Sequence, residues 1–278
     1  MIQLGLLTVL TLIAFAGNSI LNRMALAEAL ISPEAFAAIR LTSGALALGL
    51  MVSLRQRSAR WLRKGSAVGA TALGVYAIGF SFGYLRIDAG LGALLLFGVV
   101  QITMFAAALI HRQETISRAR WFGTAMAFGG LVLLLLPGTV APSPVFAAMM
   151  VISAVAWGVY SLVGKSATEP LASTAANFLY AAPAALLVWF FIPPTAALTS
   201  SGVGLALLSG VVTSGMGYAL WYYILPQLRT TTAALTQVTV PIIAALGGIL
   251  LLGEEITLAF IASAVLVLAG VVVVSLRR

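Results

Sequence analysis

Apolar residues dominate this chain in runs that are about as long as a bilayer crossing. A helix rises about 1.5 Å per residue, so roughly 20 apolar residues span a hydrocarbon core of about 30 Å. Prolines, glycines and charged clusters separate the runs. The pattern predicts ten membrane-spanning helices at about 4–24, 33–54, 65–84, 90–110, a fifth ending at 136, 144–164, 171–192, 203–225, 228–251 and 256–276.

The ninth run is unusual because polar residues interrupt it. Residues 233–256 read AALTQVTVPIIAALGGILLLGEEI, with Gln237 one turn before Pro241. Proline has no N–H for the carbonyl of Gln237, and lipid tolerates a free carbonyl only where protein or a wet cavity accepts it. We therefore predict a bent helix that faces an interior, with Pro241 as its hinge.

Composition limits where a function can lie. The 278 residues are 62% hydrophobic and only 8% charged, with a mean hydropathy of +1.11. A soluble domain does not reach these values, so the prediction is an all-α polytopic membrane protein. Ten crossings leave almost no residues for a soluble domain, so the functional site must lie inside the bundle. The chain has no cysteine, which excludes disulfides and thiol chemistry.

Basic residues lie almost entirely on one side of the predicted bundle. With a cytoplasmic N-terminus, twelve Lys and Arg residues fall on the inner side and two on the outer side. The inner set is Arg55, Arg57, Arg60, Arg63, Lys64, Arg112, Arg118, Arg120, Lys165, Arg229, Arg277 and Arg278; the outer set is Arg23 and Arg86. This bias predicts two cytoplasmic termini in a bacterial-type inner membrane. It also explains the net charge of +8 without nucleic acid as a partner.

The chain contains a weak internal repeat. A shift of 140 residues without gaps superimposes Glu114 on Glu254, Ile116 on Ile256 and Gly130 on Gly270. Each half, 1–138 and 142–278, then holds five predicted helices, and an odd number makes the second half inverted. Inverted repeats are typical of alternating-access transporters, with the substrate site near the midplane. A duplication that only built a bundle is the alternative.

Two segments carry a resemblance to a known family. The stretch WGVYSLVGK (157–165) and the stretch AALTQVTVPIIAALGGILLLGEEIT (233–257) resemble the EamA family of the drug/metabolite transporter superfamily. Overall the chain looks most like bacterial amino-acid exporters of the YddG type. The resemblance implies ten helices in two inverted repeats and export of small molecules. Many members also have a proline in helix 4, where this chain has Gln101, so we expect the halves to bend differently.

Aromatic residues at helical spacing form one set of candidate substrate ligands. Helix 3 carries Tyr76, Phe80 and Tyr84 on one face, since they are spaced by four residues. Aromatic rings near helix ends often lie at the membrane interface, which is the alternative for Tyr84, Tyr222 and Tyr223. The predicted ring ligands are Tyr76, Phe80, Trp157, Tyr160 and Tyr218, with the hydroxyl of Ser214 beside them.

Amides and one arginine complete the candidate site. Asn18, Gln101 and Gln237 lie within predicted spans, where an amide must find a hydrogen-bond partner. They are predicted substrate ligands, with interhelical hydrogen bonds as the alternative. Arg40 is the one charge well inside a predicted span and could contact a carboxylate. The alternative is that it snorkels outward toward Glu34 or Asp88.

These observations predict an inner-membrane transporter that exports small metabolites, with neutral or aromatic amino acids favoured. No acidic residue falls mid-span, and the single histidine, His111, falls in a basic turn, so no proton relay is predicted. Drugs or sugars are alternative substrates, and a non-transporting membrane scaffold is an alternative role. No nucleophile motif or metal-binding pattern is present, so we predict no enzyme activity, cofactor or metal. The expected partners are a small solute and the lipid bilayer, and the oligomeric state stays open.

Overall fold

The structure is a computed structural model that describes residues 2–110, 118–135, 143–224, 227, 236–237 and 239–276. Every regular element within these residues is a helix. The helices are α1 (Ile2–Ala27), α2 (Pro33–Gln56), a 3₁₀ turn (Ala59–Lys64), α3 (Ala67–Gly83), α4 (Ala89–Ile110), α5 (Arg118–Leu135), α6 (Pro144–Lys165), α7 (Pro170–Phe191), α8, α9 (Thr239–Leu252) and α10 (Leu258–Leu276). Helix α8 has three consecutive parts, which are α-helical Ser200–Leu208, π-helical Ser209–Met216 and α-helical Gly217–Ile224.

Local sequence signals set where several helices begin. Ser66 precedes α3, and its hydroxyl accepts the backbone N–H of Gly69 at 2.9 Å. Thr199 precedes α8 and accepts the N–H of Gly202 at 3.1 Å. Such caps satisfy backbone donors that have no partner in the first turn of a helix. Pro33, Pro144 and Pro170 each stand at the start of a helix, where the missing N–H costs nothing.

The described helices agree closely with the predicted spans, but not all are equally long. Six are long and apolar enough to cross a membrane, and four shorter apolar helices cover Ala67–Gly83, Trp121–Leu135, Thr239–Leu252 and Leu258–Val273. The predicted start of the ninth helix and most of the boundary between the halves lie outside the described residues. Pro241 is the third residue of α9, after helical Thr236 and Gln237, and its role as a hinge stays a prediction.

Large apolar side chains face outward, and polar side chains face inward. Phe190, Leu250 and Leu258 are each at least 80% exposed, whereas Asn22 and Arg40 are almost completely buried. This distribution is the reverse of that in a soluble protein and fits helices surrounded by lipid. The chain is therefore a multi-pass membrane protein.

The packing order brings helices from distant parts of the chain together. The main contacts are α2 with α7, α5 with α10, α4 with α9, α3 with α6, α4 with α6, and α1 with both α8 and α9. The ends of helices that the basic-residue bias places outside the cell, at residues 28–32, 84–88 and 253–257, are called the predicted outer end below.

A close approach between α2 and the π-helical part of α8 positions the site. A Cβ atom at Gly210 would collide with Ser43 Oγ and with the carbonyl oxygen of Arg40. A Cβ atom at Gly44 would lie 2.9 Å from the carbonyl oxygen of Gly210. Only glycine allows the two backbones to lie this close, and the contact places Ser214 beside Arg40. Short π-helical segments are frequent at functional sites.

Candidate functional site

A small cavity in the middle of the bundle is lined mainly by aromatic rings. Its free volume is about 10 Å³, roughly the room that one water molecule needs. Its lining residues are Phe15, Asn18, Ser19, Tyr76, Phe80, Leu96, Phe97, Trp157 and Tyr218. They come from α1, α3, α4, α6 and α8, so helices from both halves of the chain contribute. Five of them were predicted as substrate ligands, namely Asn18, Tyr76, Phe80, Trp157 and Tyr218.

Trp157 is the centre of the aromatic cluster. Its ring centroid lies 4.7 Å from that of Tyr76, 4.8 Å from Tyr218 and 5.5 Å from Tyr160. Phe15 contacts Tyr218 edge-on, with the ring centroids 5.7 Å apart. These separations are in the favourable range for aromatic pairs, so the rings form a mutually supported wall.

Arg40 lies directly behind this wall and is 1% exposed. Its Nε donates to Ser214 Oγ at 2.8 Å, and its Nη2 donates to the hydroxyls of Tyr76 at 3.0 Å and Tyr218 at 3.3 Å. Its Cζ is 5.2 Å from the centroid of the Tyr76 ring and 5.1 Å from that of Phe80. The snorkelling alternative is therefore wrong, because hydroxyls and ring faces hold Arg40 inside the bundle.

The charge of Arg40 has no counter-ion among the described residues. None of the ion pairs found there includes it, and its Nη1 has no hydrogen-bond partner. The two carboxylates considered as snorkelling targets do not compensate it. Asp88 pairs with Arg23, and both carboxylate oxygens of buried Glu34 lack a partner. An unpaired buried charge is costly unless something else neutralises it.

Asn18 connects the cavity to the π-helical segment. Its Oδ1 accepts the hydroxyls of Ser209 at 3.0 Å, Thr213 at 2.6 Å and Ser214 at 3.0 Å. Ser214 Oγ therefore accepts from Arg40 and donates to Asn18. These hydrogen bonds orient the Arg40 guanidinium through residues of α1 and α8. The predicted residues Asn18 and Ser214 therefore position Arg40.

The other predicted site residues lie apart from this cavity. Gln101, Gln237 and Pro241 line a second small cavity, of about 10 Å³ free volume, together with Phe97 and residues of α10. Phe97 lines both cavities and separates them. Tyr160 contacts Trp157, but its hydroxyl donates to Thr174 at 3.3 Å on α7. The substrate roles of these residues stay predictions.

A charged cluster closes the predicted outer end. Arg23 donates from Nη2 to Asp88 Oδ1 at 3.1 Å and from Nε to Glu254 Oε1 at 3.2 Å. The carboxylate of Glu254 also accepts the backbone N–H of Ala89, at 3.0 and 2.9 Å from its two oxygens. Glu254 thus ties the α9–α10 loop to α1 and to the first residue of α4. Burial raises the pKa of the Glu254 carboxyl, while the Ala89 N–H and Arg23 oppose this.

Several functional features escaped the sequence reasoning. Phe15 lies one helical turn from Thr11 and from Asn18, and Phe97 lies one turn before Gln101, so this spacing to polar residues is the signal that could have placed both rings on an inward face. Tyr84, whose alternative was the membrane interface, is fully buried and donates to the carbonyl of Ala89 at 3.3 Å. Tyr223 is 62% exposed, as the interfacial alternative expects, and the side chain of Tyr222 lies outside the described residues. Among the described residues, no group of three or more His, Cys, Asp or Glu could hold a metal ion.

The described residues thus form a multi-pass helical bundle with a small aromatic cavity and a buried cation. The model of the EamA-like transporter family matches residues 145–276. An uncharacterised protein of Pseudomonas aeruginosa is 45% identical over 273 residues, which cover 98% of this chain and 94% of that protein. The chain belongs to the EamA-like transporter family.

Two more distant comparisons extend the similarity. A probable terminal-alkyne amino-acid exporter of Streptantibioticus cattleyicolor is 26% identical over 254 residues, covering 86% of this chain and 82% of the exporter. A crystal structure of another protein superimposes with a TM-score of 0.65 at 18% identity, covering 96% of this chain and 97% of that one. At this identity the structural likeness shows the fold alone.

Proposed function

We propose that this protein exports small metabolites, with neutral and aromatic amino acids as its substrates, by alternating access around the central cavity. The observation that carries the proposal is the cavity itself. Aromatic rings form most of its wall, a few hydroxyl and amide groups supply polarity, and one arginine supplies charge. This combination suits an amphipathic solute with one polar end. The similarity to an amino-acid exporter and the resemblance to YddG-type exporters support the same substrate class.

The helix contacts support two inverted repeats of five helices. Equivalent helices of the two proposed repeats are five apart in number, so α1 corresponds to α6 and α3 corresponds to α8. The α1–α8 contact therefore corresponds to the α6–α3 contact. The α1–α9 contact likewise becomes α6–α4, while α2–α7, α4–α9 and α5–α10 map onto themselves. Because the two halves make equivalent helix contacts, each half can adopt the conformation of the other. This is the basis of alternating access in inverted-repeat transporters.

Gly130 on α5 and Gly270 on α10 occupy equivalent positions in the two proposed repeats, and neither position has room for a side chain. A Cβ atom at Gly130 would lie 2.9 Å from the Cβ of Leu266, and one at Gly270 would lie 2.5 Å from the carbonyl oxygen of Gly123. Each glycine therefore lets its helix approach the other closely. Small residues at crossing points are the usual means of close helix packing in membranes.

The described conformation corresponds to a closed state in this proposal. Ligand cavities usually measure about 300–1,000 Å³. The central cavity has only about 10 Å³ of free volume, so it must widen greatly to admit a solute. Movement of Phe97 would join it to the second cavity and bring Gln101 and Gln237 into reach. Opening at the other side would require separation of Arg23 from Glu254 and Asp88.

Counterflow in proteoliposomes tests the proposal. Vesicles with purified protein are loaded with one unlabelled neutral amino acid at a time, and entry of labelled phenylalanine is followed against protein-free vesicles. We expect several neutral amino acids to accelerate entry. Trp157→Ala should abolish the acceleration, whereas Trp121→Ala, which removes a ring that is 56% exposed, should retain it. No acceleration with any amino acid, from correctly folded protein, would contradict the proposal.

We further propose that transport follows the solute gradient without proton coupling. The described acidic residues lie in loops or in the first turn of a helix, and the central cavity contains none of them. An imposed pH gradient across vesicles with equal phenylalanine concentrations should therefore drive no net accumulation. Net accumulation would contradict this, and its loss in Glu34→Gln would identify the buried carboxyl group of Glu34 as the proton carrier.

A further inference from the structure

We infer that Arg40, Tyr76 and Tyr218 together form a carboxylate-binding subsite in which a tyrosine O–H contacts the ligand and Arg40 supplies the counter-charge from behind. The inference rests on the proposed transport function, because it assigns the chemical group that the same cavity recognises. It also changes the role predicted for Arg40, from a direct ligand to a residue that acts through two hydroxyls.

The two tyrosine hydroxyls of the subsite have more protons to donate than acceptors to receive them. Both tyrosine hydroxyls accept from Nη2 of Arg40, and the two hydroxyl oxygens are 3.2 Å apart, so one donates to the other. Two hydroxyls carry two protons, and this mutual bond uses only one of them. One tyrosine O–H proton is thus left without an acceptor among the described residues, next to a cavity that both rings line.

The positive charge of the subsite is also uncompensated. The subsite holds one buried positive charge, one unused hydroxyl proton and an unpartnered Nη1, but it has no anion among the described residues. A carboxylate in the cavity would accept the free O–H and neutralise the guanidinium through a short, polarised hydrogen-bond chain. Hydrogen bonds to charged groups are stronger than neutral ones, and a low-dielectric surrounding strengthens them further.

The ammonium end of an amino acid finds no free acceptor in the subsite. An ammonium group needs acceptors, but the subsite offers donors, and the amide oxygen of Asn18 already accepts three hydroxyls. A positive ligand group would also lie close to the uncompensated charge of Arg40. We therefore expect a ligand to need a carboxylate group, but not an ammonium group, to bind in the cavity.

The test is a competition series on the wild-type carrier in proteoliposomes. Labelled phenylalanine is the transported probe, and the competitors are phenylalanine, 3-phenylpropionate and phenethylamine, which share the ring but differ in the charged group. 3-Phenylpropionate should compete about as well as phenylalanine. Phenethylamine should compete about 10- to 100-fold more weakly, the range expected from loss of a charge-assisted hydrogen bond. Phenethylamine competing as well as the two acids would overturn the inference.

Variants separate the subsite from the rest of the cavity. Tyr76→Phe and Tyr218→Phe together remove both hydroxyls but keep the rings, and Arg40→Gln removes the charge. Each should strongly reduce phenylalanine counterflow and remove the thermal stabilisation that 3-phenylpropionate gives the wild type. The control Arg86→Gln removes a solvent-exposed positive charge near the predicted outer end. Its phenylalanine counterflow and its stabilisation by 3-phenylpropionate should match those of the wild type.

The outcomes distinguish this inference from the proposed function. Phenylalanine counterflow that persists unchanged in the double tyrosine variant would overturn the subsite and leave the transport function standing. A wild-type protein that transports no amino acid and is stabilised by no carboxylate would overturn both. If Arg40→Gln fails to fold, the ligand series on wild-type protein and the double tyrosine variant still decide the question.

Discussion

Arg23 and Arg40 both carry a positive charge within the helix bundle, but the partners of the two guanidinium groups are of opposite kinds. Arg23 is 19% exposed and contacts two carboxylates and the carbonyl oxygens of Tyr84 and Leu85. Arg40 is 1% exposed and contacts only hydroxyls and aromatic rings, with Nη1 left free. The first arginine has every partner that its charge needs, and the second lacks a counter-ion.

The difference indicates different roles. The partners of Arg23 come from two loops, at residues 84–88 and 253–257, so its contacts hold the predicted outer end together. The partners of Arg40 position its guanidinium without neutralising it, which leaves the neutralisation to a ligand. In the proposed mechanism, the charge of Arg23 stabilises the closed bundle, and the charge of Arg40 selects the solute that enters it.

Arg23→Met should produce the largest loss of stability. It leaves Asp88 and Glu254 without their cation, and removal of one partner from a fully buried pair costs about 3–5 kcal/mol. Because the Arg23 cluster is partly exposed, we expect a loss of about 2–3 kcal/mol. Urea unfolding in detergent, followed by tryptophan fluorescence, measures the change. An unchanged unfolding midpoint would show that the cluster does not hold the closed state.

Asn18→Ala should cost slightly less. It removes the acceptor of the Ser209 and Ser214 hydroxyls and one of the two acceptors of the Thr213 hydroxyl. Interhelical hydrogen bonds in membranes are worth about 0.6 kcal/mol each, so the three bonds together give about 2 kcal/mol. Asn22→Ala, which removes one bond to a backbone carbonyl and one to Ser81, is the matched control and should cost about 1 kcal/mol. Equal losses in the two variants would argue against Asn18 as the anchor of the π-helical segment.

Arg40→Met should change stability by less than about 1 kcal/mol in either direction. Replacing a buried charge by an apolar side chain of similar volume is often neutral or stabilising, since the desolvation cost disappears. Transport of phenylalanine should nevertheless be lost. A large loss of stability in Arg40→Met, equal to that in Arg23→Met, would remove the contrast between the two arginines.

Glu254→Gln should have the smallest effect, visible only as a change in pH dependence. Burial raises the pKa of this loop carboxyl above its ordinary value of 4.5, so the folded protein holds the proton more firmly than the unfolded chain. The stability that this proton contributes is complete below the unfolded pKa and is lost as the pH rises through the folded pKa. Thermal unfolding should therefore show wild type, but not Glu254→Gln, losing this component above about pH 4.5. Identical pH profiles would contradict it.

The sequence predicts the helices well because hydropathy alone decides them in lipid. It also predicts Tyr76, Trp157 and Tyr218 as cavity residues, since hydroxyl and indole groups stand out in apolar helices. Phe15 and Phe97 have no polar group of their own, and only their one-turn spacing from Asn18 and Gln101 could have indicated that they face inward. The direction of Arg40 likewise depends on partners 36 and 174–178 residues away, which no local pattern encodes.

The amides show the same limit. Gln101 and Gln237 were predicted ligands, yet Phe97 separates their cavity from the aromatic one. Spacing along a helix gives the face on which a residue lies, but it does not give the side chain that stands between two faces. Whether the two cavities join during transport depends on a second conformation.

The most direct test of the account is cysteine accessibility, which the absence of native cysteines makes clean. Leu96→Cys places one thiol in the aromatic cavity, and Leu198→Cys and Ala59→Cys are exposed controls for the predicted outer and inner sides. A membrane-impermeant maleimide added to either side of oriented vesicles should reach each control from one side only. Leu96→Cys should react from both sides, and excess phenylalanine should slow the reaction. A folded Leu96→Cys protein that reacts from one side only, or whose labelling phenylalanine does not slow, would contradict alternating access around this cavity.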